Sequence, residues 1–297
     1  MKWTIRWRWR WRRQKKLNRS LPVDMVLFLF LAGAGVFMAV PFVFMISTAL
    51  KPLDELFLFP PTFFVRSPTM DNFYDLILIF SNTWVPLSRY MFNTIFVALT
   101  GTVGHVILAS MAAYPLAKLK LPGGNILFTI VVLSLMFASQ VTAIPNYLTI
   151  TWLGLLDSYW ALIFPAFATS LGLFLMKQFM EQIPDALIEA AKIDGASEFR
   201  IFRSIVMPMV KPAWLTLIIF SFKGLWGTGS GGQGASFVYS EQLKTMDYVF
   251  SQILSGGFYR SGPMAAAALI MMIVPVLIFV LTQSSVIQTM STSGLKE

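Results

Sequence analysis

The chain has 297 residues, 56% of them hydrophobic and only 12% charged, about half the charged share of an ordinary soluble domain. One soluble core of this size cannot bury so much apolar surface, so lipid is the expected solvent. The net charge of +9 is local, since nine of the 23 Lys and Arg lie before residue 20; the lack of Cys and the single histidine, His105, exclude disulfides, thiolate sites and any His-based metal cluster.

The N-terminal arm, residues 1–24, alternates Trp and Arg in MKWTIRWRWRWRRQKK. Base stacking with phosphate contacts is one reading of such a run. Beside an apolar span, Trp at the membrane interface and Arg on anionic head groups is the favoured one. Membrane lipid is therefore the expected partner, nucleic acid is not, and the arm receives no transport chemistry. It could equally be disordered or reflect a misassigned start.

Six apolar runs then follow: Met25–Ile46, Tyr90–Leu116 with Gly101 and Gly104 inside, Ile126–Ile144 ended by Pro145, Trp160–Met176, a fifth beginning at Trp214–Leu225, and Met264–Leu281. The first is about twice the length of a signal-peptide core and lacks a small-x-small cleavage site, so it is expected to be retained. The expected fold is all-α and polytopic, with residues 25–297 as one six-span domain. An even number of spans puts both termini on one side. The arm, the loops after spans two and four and the tail hold 17 of the 23 basic residues, which assigns that side to the cytoplasm of a bacterial inner membrane.

Two outer segments are long. Thr48–Ser88 carries Pro52, Pro60, Pro61, Pro68 and Pro86 and is expected along the outer surface. Gly227–Gly262 is glycine-rich, and reads either as a flexible connector or as a loop reaching a partner or the translocation path.

The span cores contain no Asp or Glu. A proton- or sodium-coupled carrier needs an ionisable group there, and intramembrane hydrolysis needs an acid/base pair. His105, in GTVGHVILAS, is expected to be a packed, hydrogen-bonded residue among small neighbours. Among the neutral polar residues, Asn93, Gln140 and Asn146 are candidates to line a path for a hydroxyl-rich solute, and interhelical hydrogen bonding is the equal alternative.

The most informative stretch is IPDALIEAAKIDGASEFRIFRSIVMPMVKP, residues 183–212. Pro184 suits a helix start and Asp185 sits near the positive helix end. Ile183, Leu187, Ala190 and Ala191 form the expected apolar stripe, with Glu189 and Lys192 off it. Gly195 can stop the helix in the left-handed conformation and Ser197 can cap a second one. Phe199, Phe202 and Val206 are its expected apolar face, with Pro208 and Pro212 ending it. Five acids against five bases between Lys177 and Lys211 make a poor lipid-binding face. Small residues at 190, 191, 195 and 196 would let a partner surface approach the backbone.

Glu189-Ala190-Ala191 followed by Asp194-Gly195-Ala196, with Phe202, Ile205, Pro208 and Pro212, resembles the EAA loop of ABC importer permeases. The extended loop, with AAYPLAKLKLPG (112–123) and IPNYLTITWLGLLDSYWALIFPAF (144–167), is similar to the carbohydrate-uptake class and to the smaller permease subunit of the maltose-type importer. The resemblance implies a type I importer fold and a mechanism. The loop's first helix, through Glu189, Ala190, Ala191, Asp194, Gly195 and Ala196, would dock in a cleft of a cytoplasmic ATPase. Glu189 would meet a basic residue there. ATP and Mg would be bound by that partner, because this chain has no Walker A loop and needs no cofactor of its own; it is not expected to be an enzyme. A second homologous permease subunit, two ATP-binding subunits and an extracellular solute-binding protein would complete the assembly. The last outer loop, with Tyr239, Tyr248, Phe258 and Tyr259, would contact the binding protein. Trp226 is followed by Gly227 and Thr228 where the family often has Asn or Asp, and the tail QTMSTSGLKE departs from the usual ending. Both departures suggest a branch resembling importers of polysaccharide fragments or complex oligosaccharides. An importer for another neutral or polar solute, such as a polyamine or phosphonate, and a stand-alone carrier or channel are the alternatives.

Overall fold

Backbone polar groups in lipid have no water to bond, so an apolar run must satisfy them internally and become helical. The computed structural model describes residues 21–81, 84–119, 121–227 and 237–293, and among them there are helices and turns but no strand. The N-terminal arm up to residue 20, the glycines at 229–234 and the last residues of the tail lie outside the described residues.

Long helices of α1 (Leu21–Leu50), α3 (Leu87–Lys118) and α12 (Ser261–Ser293) carry expected spans one, two and six. Between α1 and α3, α2 (Asp71–Ser81) lies against α1 and α12. Span four is a helix pair, α6 (Tyr159–Phe167) and α7 (Ser170–Glu181), interrupted at residues 168–169. It runs further than Trp160–Met176 and takes in Lys177, which the sequence reading assigns to the following loop. The Lys177 ammonium stays buried because Glu181, one turn on, pairs with it and the Phe128 ring lies 3.8 Å from it.

Expected span three, Ile126–Ile144, is not one helix. It is α4 (Gly124–Ser134) and α5 (Ser139–Trp152), separated by a tight turn in which Leu135, Met136 and Phe137 donate three residues back. Pro145 sits inside α5 and does not mark the break. Among the described residues, four helices are long and apolar enough to cross a membrane; Glu198–Met209 and Lys211–Trp226 pass that test together but are bent by 78°, so the second carries the fifth crossing and the first lies in the loop before it. The sixth crossing follows from what holds the two ends of the α4–α5 pair. Lys118, just before α4, is tied to Asp185; Tyr159, just after α5, is tied to Asn93 near the opposite end of α3. The chain therefore climbs the height of α3 as two short helices.

The remaining elements are α8 (Asp185–Ile193), α9 (Glu198–Met209), α10 (Lys211–Trp226) and α11 (Met246–Ser255). α3 is the central post and packs on α6, α7 and α10. Buried residues gather at its two ends: Tyr90, Phe80, Trp226 and Met246 at one, Tyr114, Met176, Met180 and Val210 at the other. Outside this core, α1 exposes an almost unbroken apolar surface.

His105 stands midway along the post, buried, with Nε2 2.7 Å from Thr169 Oγ1 and Nδ1 3.1 Å from Ser221 Oγ. It ties α3 to the break between α6 and α7 and to α10. The expectation of a packed, hydrogen-bonded histidine beside small neighbours holds. Gly172 is the small neighbour that matters most, since a Cβ there would overlap the His105 ring. Gly172→Ala should lower stability by about 1–3 kcal/mol, read as thermal unfolding in detergent micelles. In a His105→Ala background the added methyl should cost far less; strictly additive effects would show that the two sites do not share this space.

Candidate coupling surface and outer loop

The loop between spans four and five is a braced knob. Pro184 caps α8, one position earlier than the first helical residue, and Asp185 opens the helix. The helix ends in a Schellman arrangement: Ala196 N–H bonds to Ala191 O and Gly195 N–H to Lys192 O, both at 3.0 Å, with Gly195 at φ +79°. Ser197 then accepts from the Arg200 N–H at 3.4 Å and starts α9, as expected.

The apolar register differs from expectation. Ile183, Ile188 and Ala191 face the core, whereas Leu187 and Ala190 are exposed. Ile183 precedes Pro184 and lies outside the helix, so counting from it shifts the face by one residue. In α9 the buried residues are Ile201 and Val206, while Phe199 is exposed and Phe202 half-buried. The cause is a π-helical stretch, Phe202–Val206, whose wider turn brings residues five apart onto one side. The chain stays helical through Pro208 to Met209, and Pro212 enters the first turn of α10.

Polar contacts lock the knob to the post. Lys118 Nζ, buried, donates to Ile183 O at 2.6 Å and pairs with Asp185 Oδ1 at 2.7 Å. One turn earlier on α3, Tyr114 OH donates to Glu198 Oε2 at 2.7 Å. Lys192 reaches the same carboxylate across the glycine turn at 2.7 Å. Lys192 and then Tyr114 hold the Glu198 carboxyl below the usual range. Glu189, Ala190, Ile193, Asp194 and Gly195 face outward, Ile193 at 86% exposure, and Ala196 is half-buried. Ala191, at 8% exposure, supports the helix from beneath.

The opposite end of the post holds the last outer loop. Asn93 is fully buried; its Nδ2 donates to Gln242 O and Lys244 O, both at 2.8 Å, and its Oδ1 accepts from Tyr159 OH at 2.7 Å. Its amide thus staples the loop, an engagement of the hydrogen-bonding kind that the sequence offers beside a path-lining role. Asp157, at φ 57°, accepts from the N–H groups of Tyr239 and Ser240 at 3.0 and 2.8 Å and from the Ser240 hydroxyl. These bonds, the hydroxyl's first, hold its carboxyl below its ordinary value of 3.8. Tyr239 and Tyr259 are exposed, the latter 5.1 Å from the Phe57 ring; Tyr248 is half-buried, under Lys244 Nζ at 3.8 Å. Phe258 opens a single turn, Phe258–Arg260, before α12. Gln140 and Asn146 both lie on α5, at its exposed or half-buried positions.

The bundle thus carries a braced amphipathic knob between crossings four and five. The profile described as "Binding-protein-dependent transport system inner membrane component" matches residues 105–291. The chain belongs to this family. Protein LplC of Bacillus subtilis is 36% identical over 199 residues, covering 65% of this chain and 63% of that protein. The aligned part thus spans just under two thirds of that relative. The sulfoquinovosyl glycerol transport system permease protein SmoH of Agrobacterium fabrum is 31% identical over 259 residues, covering 86% and 88%. A crystal structure of a bacterial ABC transporter that imports the acidic polysaccharide alginate includes a chain with TM-score 0.74 and 20% identity, covering 91% of this chain and 99% of that one. At that identity the likeness is one of fold.

Within this permease family fold, neither Lys118 nor Asp157 stood out in the sequence. Their partners lie 67 and 83 residues away, beyond any helical or strand spacing, so no periodic signal could have paired them. Lys118→Met should cost about 1–3 kcal/mol, because Ile183 O loses its charged donor, and amide exchange in residues 185–193 should quicken while that of α12 stays unchanged. The Asp157 carboxyl has a depressed folded pKa, so its stabilisation is complete above the unfolded value and is lost as pH falls through and below 3.8. Asp157→Asn should flatten that acid limb of the thermal-stability profile; an unchanged limb would rule out this staple as its source.

Proposed function

We propose that the chain is the membrane-spanning subunit of an ATP-driven importer, forming half of the translocation path for a sugar or oligosaccharide delivered by an extracellular solute-binding protein. The observation that carries this reading is the outward face of α8. A helix with Leu187, Glu189, Ala190 and Ile193 exposed, on a base locked to the post, has the form of a lever end. A partner that pushes on it moves α3, α7 and α10 together, because all three contribute to the core beneath it. Small Ala190 lets the partner's backbone come close, and Glu189 offers a carboxylate to a basic group.

In this reading the knob and both termini are cytoplasmic, the Asn93 end is extracellular, and residues 25–297 form one permease domain after a basic arm. The family's description as binding-protein-dependent supports a solute-binding partner. Two ATPase subunits supply the nucleotide site with ATP and Mg, and a second homologous permease supplies the other half of the path. SmoH's glycoside and the alginate importer's polysaccharide support the carbohydrate class. Tyr239, Tyr248, Phe258 and Tyr259 belong to the loop that meets the binding protein, and Asn93, Gln140 and Asn146 are the candidate polar groups of the solute path.

Ala190→Trp tests the docking face, because an exposed position can take the indole without disturbing the core. Uptake and co-purification of the ATPase should both fall at least about tenfold, while thermal unfolding of the isolated chain stays put; a change of this size corresponds to about 1.4 kcal/mol. Glu189→Arg should weaken assembly in the same direction. Gly195→Val acts differently, straining the left-handed turn by about 1–2 kcal/mol and so lowering stability as well. Normal assembly and uptake with both Ala190→Trp and Glu189→Arg would sink the coupling role. A crosslinking probe for the partner belongs at position 190 or 193, since Ala191 is covered.

A further inference from the structure

The segment that follows α1, Lys51–Ser67, is folded inside out for a protein surface in water. Its Lys51 and Glu55 are 4% and 6% exposed, whereas Phe59 is 94% exposed and Leu53, Leu58, Phe63 and Phe64 are all open. The charged groups are not merely covered; they hold the segment together. Glu55 accepts from the N–H groups of Arg66 and Ser67 at 3.0 and 2.9 Å and from Ser67 Oγ at 2.8 Å. Lys51 Nζ donates to Thr62 O, and Asn72 Nδ2 fastens the base by donating to Ala49 O and Lys51 O at 2.9 and 2.7 Å. The aromatic side chains are therefore displayed by a rigid frame, not left out by a loose loop.

The frame also points in a definite direction. Phe63 meets Phe44 of α1 edge-on at 5.7 Å, and Phe44 lies six residues before α1 ends at Leu50, about 9 Å down the helix. The segment thus folds back along α1 toward the bilayer. Its apolar face continues the exposed face of the span, where Phe42, Val43, Phe44 and Ile46 are open. Exposed Asp54 and Arg66 stand near the two ends of the stretch, where a water-facing edge belongs.

We infer that Leu53–Phe64 is a lipid-anchoring surface, seated in the acyl and head-group boundary of the leaflet at the Asn93 end of the bundle. Its ligand is the membrane lipid itself, taken by apolar insertion. Water would favour the reverse arrangement, with Lys51 and Glu55 outside and the phenylalanines within. Anchoring here would hold the base of α2 and the start of α12 at constant depth while the knob end moves, since Asn72 packs against Gly262 so closely that a Cβ there would overlap it.

The chain contains no cysteine, so single probes have no background. Phe59→Cys and Phe64→Cys, labelled with an environment-sensitive fluorophore, are placed in phosphatidylcholine nanodiscs, with Asp71→Cys, an exposed charged position at the start of α2, as the water-facing reference. Both positions change only exposed side chains, and retention of the unlabelled chain's thermal unfolding confirms an intact bundle. Brominated acyl chains should quench both labels several-fold more than the reference, and aqueous iodide several-fold less, in the isolated chain and equally in the assembled importer. Iodide quenching equal to that of Asp71→Cys would overturn the inference in favour of a water-facing dock for a soluble partner. Lipid quenching that disappears on assembly would overturn it in favour of a subunit interface.

Discussion

One ammonium group sets the geometry on which the proposed transport role rests. Lys118, at the foot of the central post, bonds to the carbonyl before α8 and to the first carboxylate within it. Without that grip a nine-residue helix between two spans would be an ordinary mobile loop. With it, and with Tyr114 holding Glu198 one turn higher, the knob and the post become one body. The contact is buried on the lysine side, so it is worth more than an exposed ion pair.

The far end of the same post is held by a different device. There the acceptors are loop carbonyls and the donor is the Asn93 amide, while Asp157 gathers two loop N–H groups and a hydroxyl. Asn93 uses neutral bonds, whereas the bonds to the Asp157 carboxylate are charge-assisted, like those of the clamp at the foot. Midway, His105 joins α3 to the broken span and to α10 through two hydroxyls, keeping the bundle coherent over the distance between the ends.

Much of this was legible from residue types. Gly195 stops α8 in the left-handed conformation and Ser197 caps the next helix, because local backbone sterics and short-range hydrogen bonds decide such positions. The apolar runs also emerged as helices. What was misread has a common cause. The α8 stripe was counted from Ile183, which lies beyond a proline, and the α9 face was counted at 3.6 residues where a π-helical stretch intervenes. Span three was taken as one rod, although its two halves are joined by a tight turn. Asn93 staples the loop through partners that no sequence spacing pairs with it.

Composition, span lengths and the EAA-type loop by themselves determined the fold class, the family and the position of the short helix α8. Those features are encoded in contiguous residues, and lipid permits few alternatives for a long apolar run. Tertiary structure alone decided which face of α8 is free, which charges brace it, and that the segment after α1 turns its phenylalanines outward. Each of these depends on groups far apart in sequence meeting in space, and a side chain's role as clamp, staple or contact surface is set by the partner it meets there.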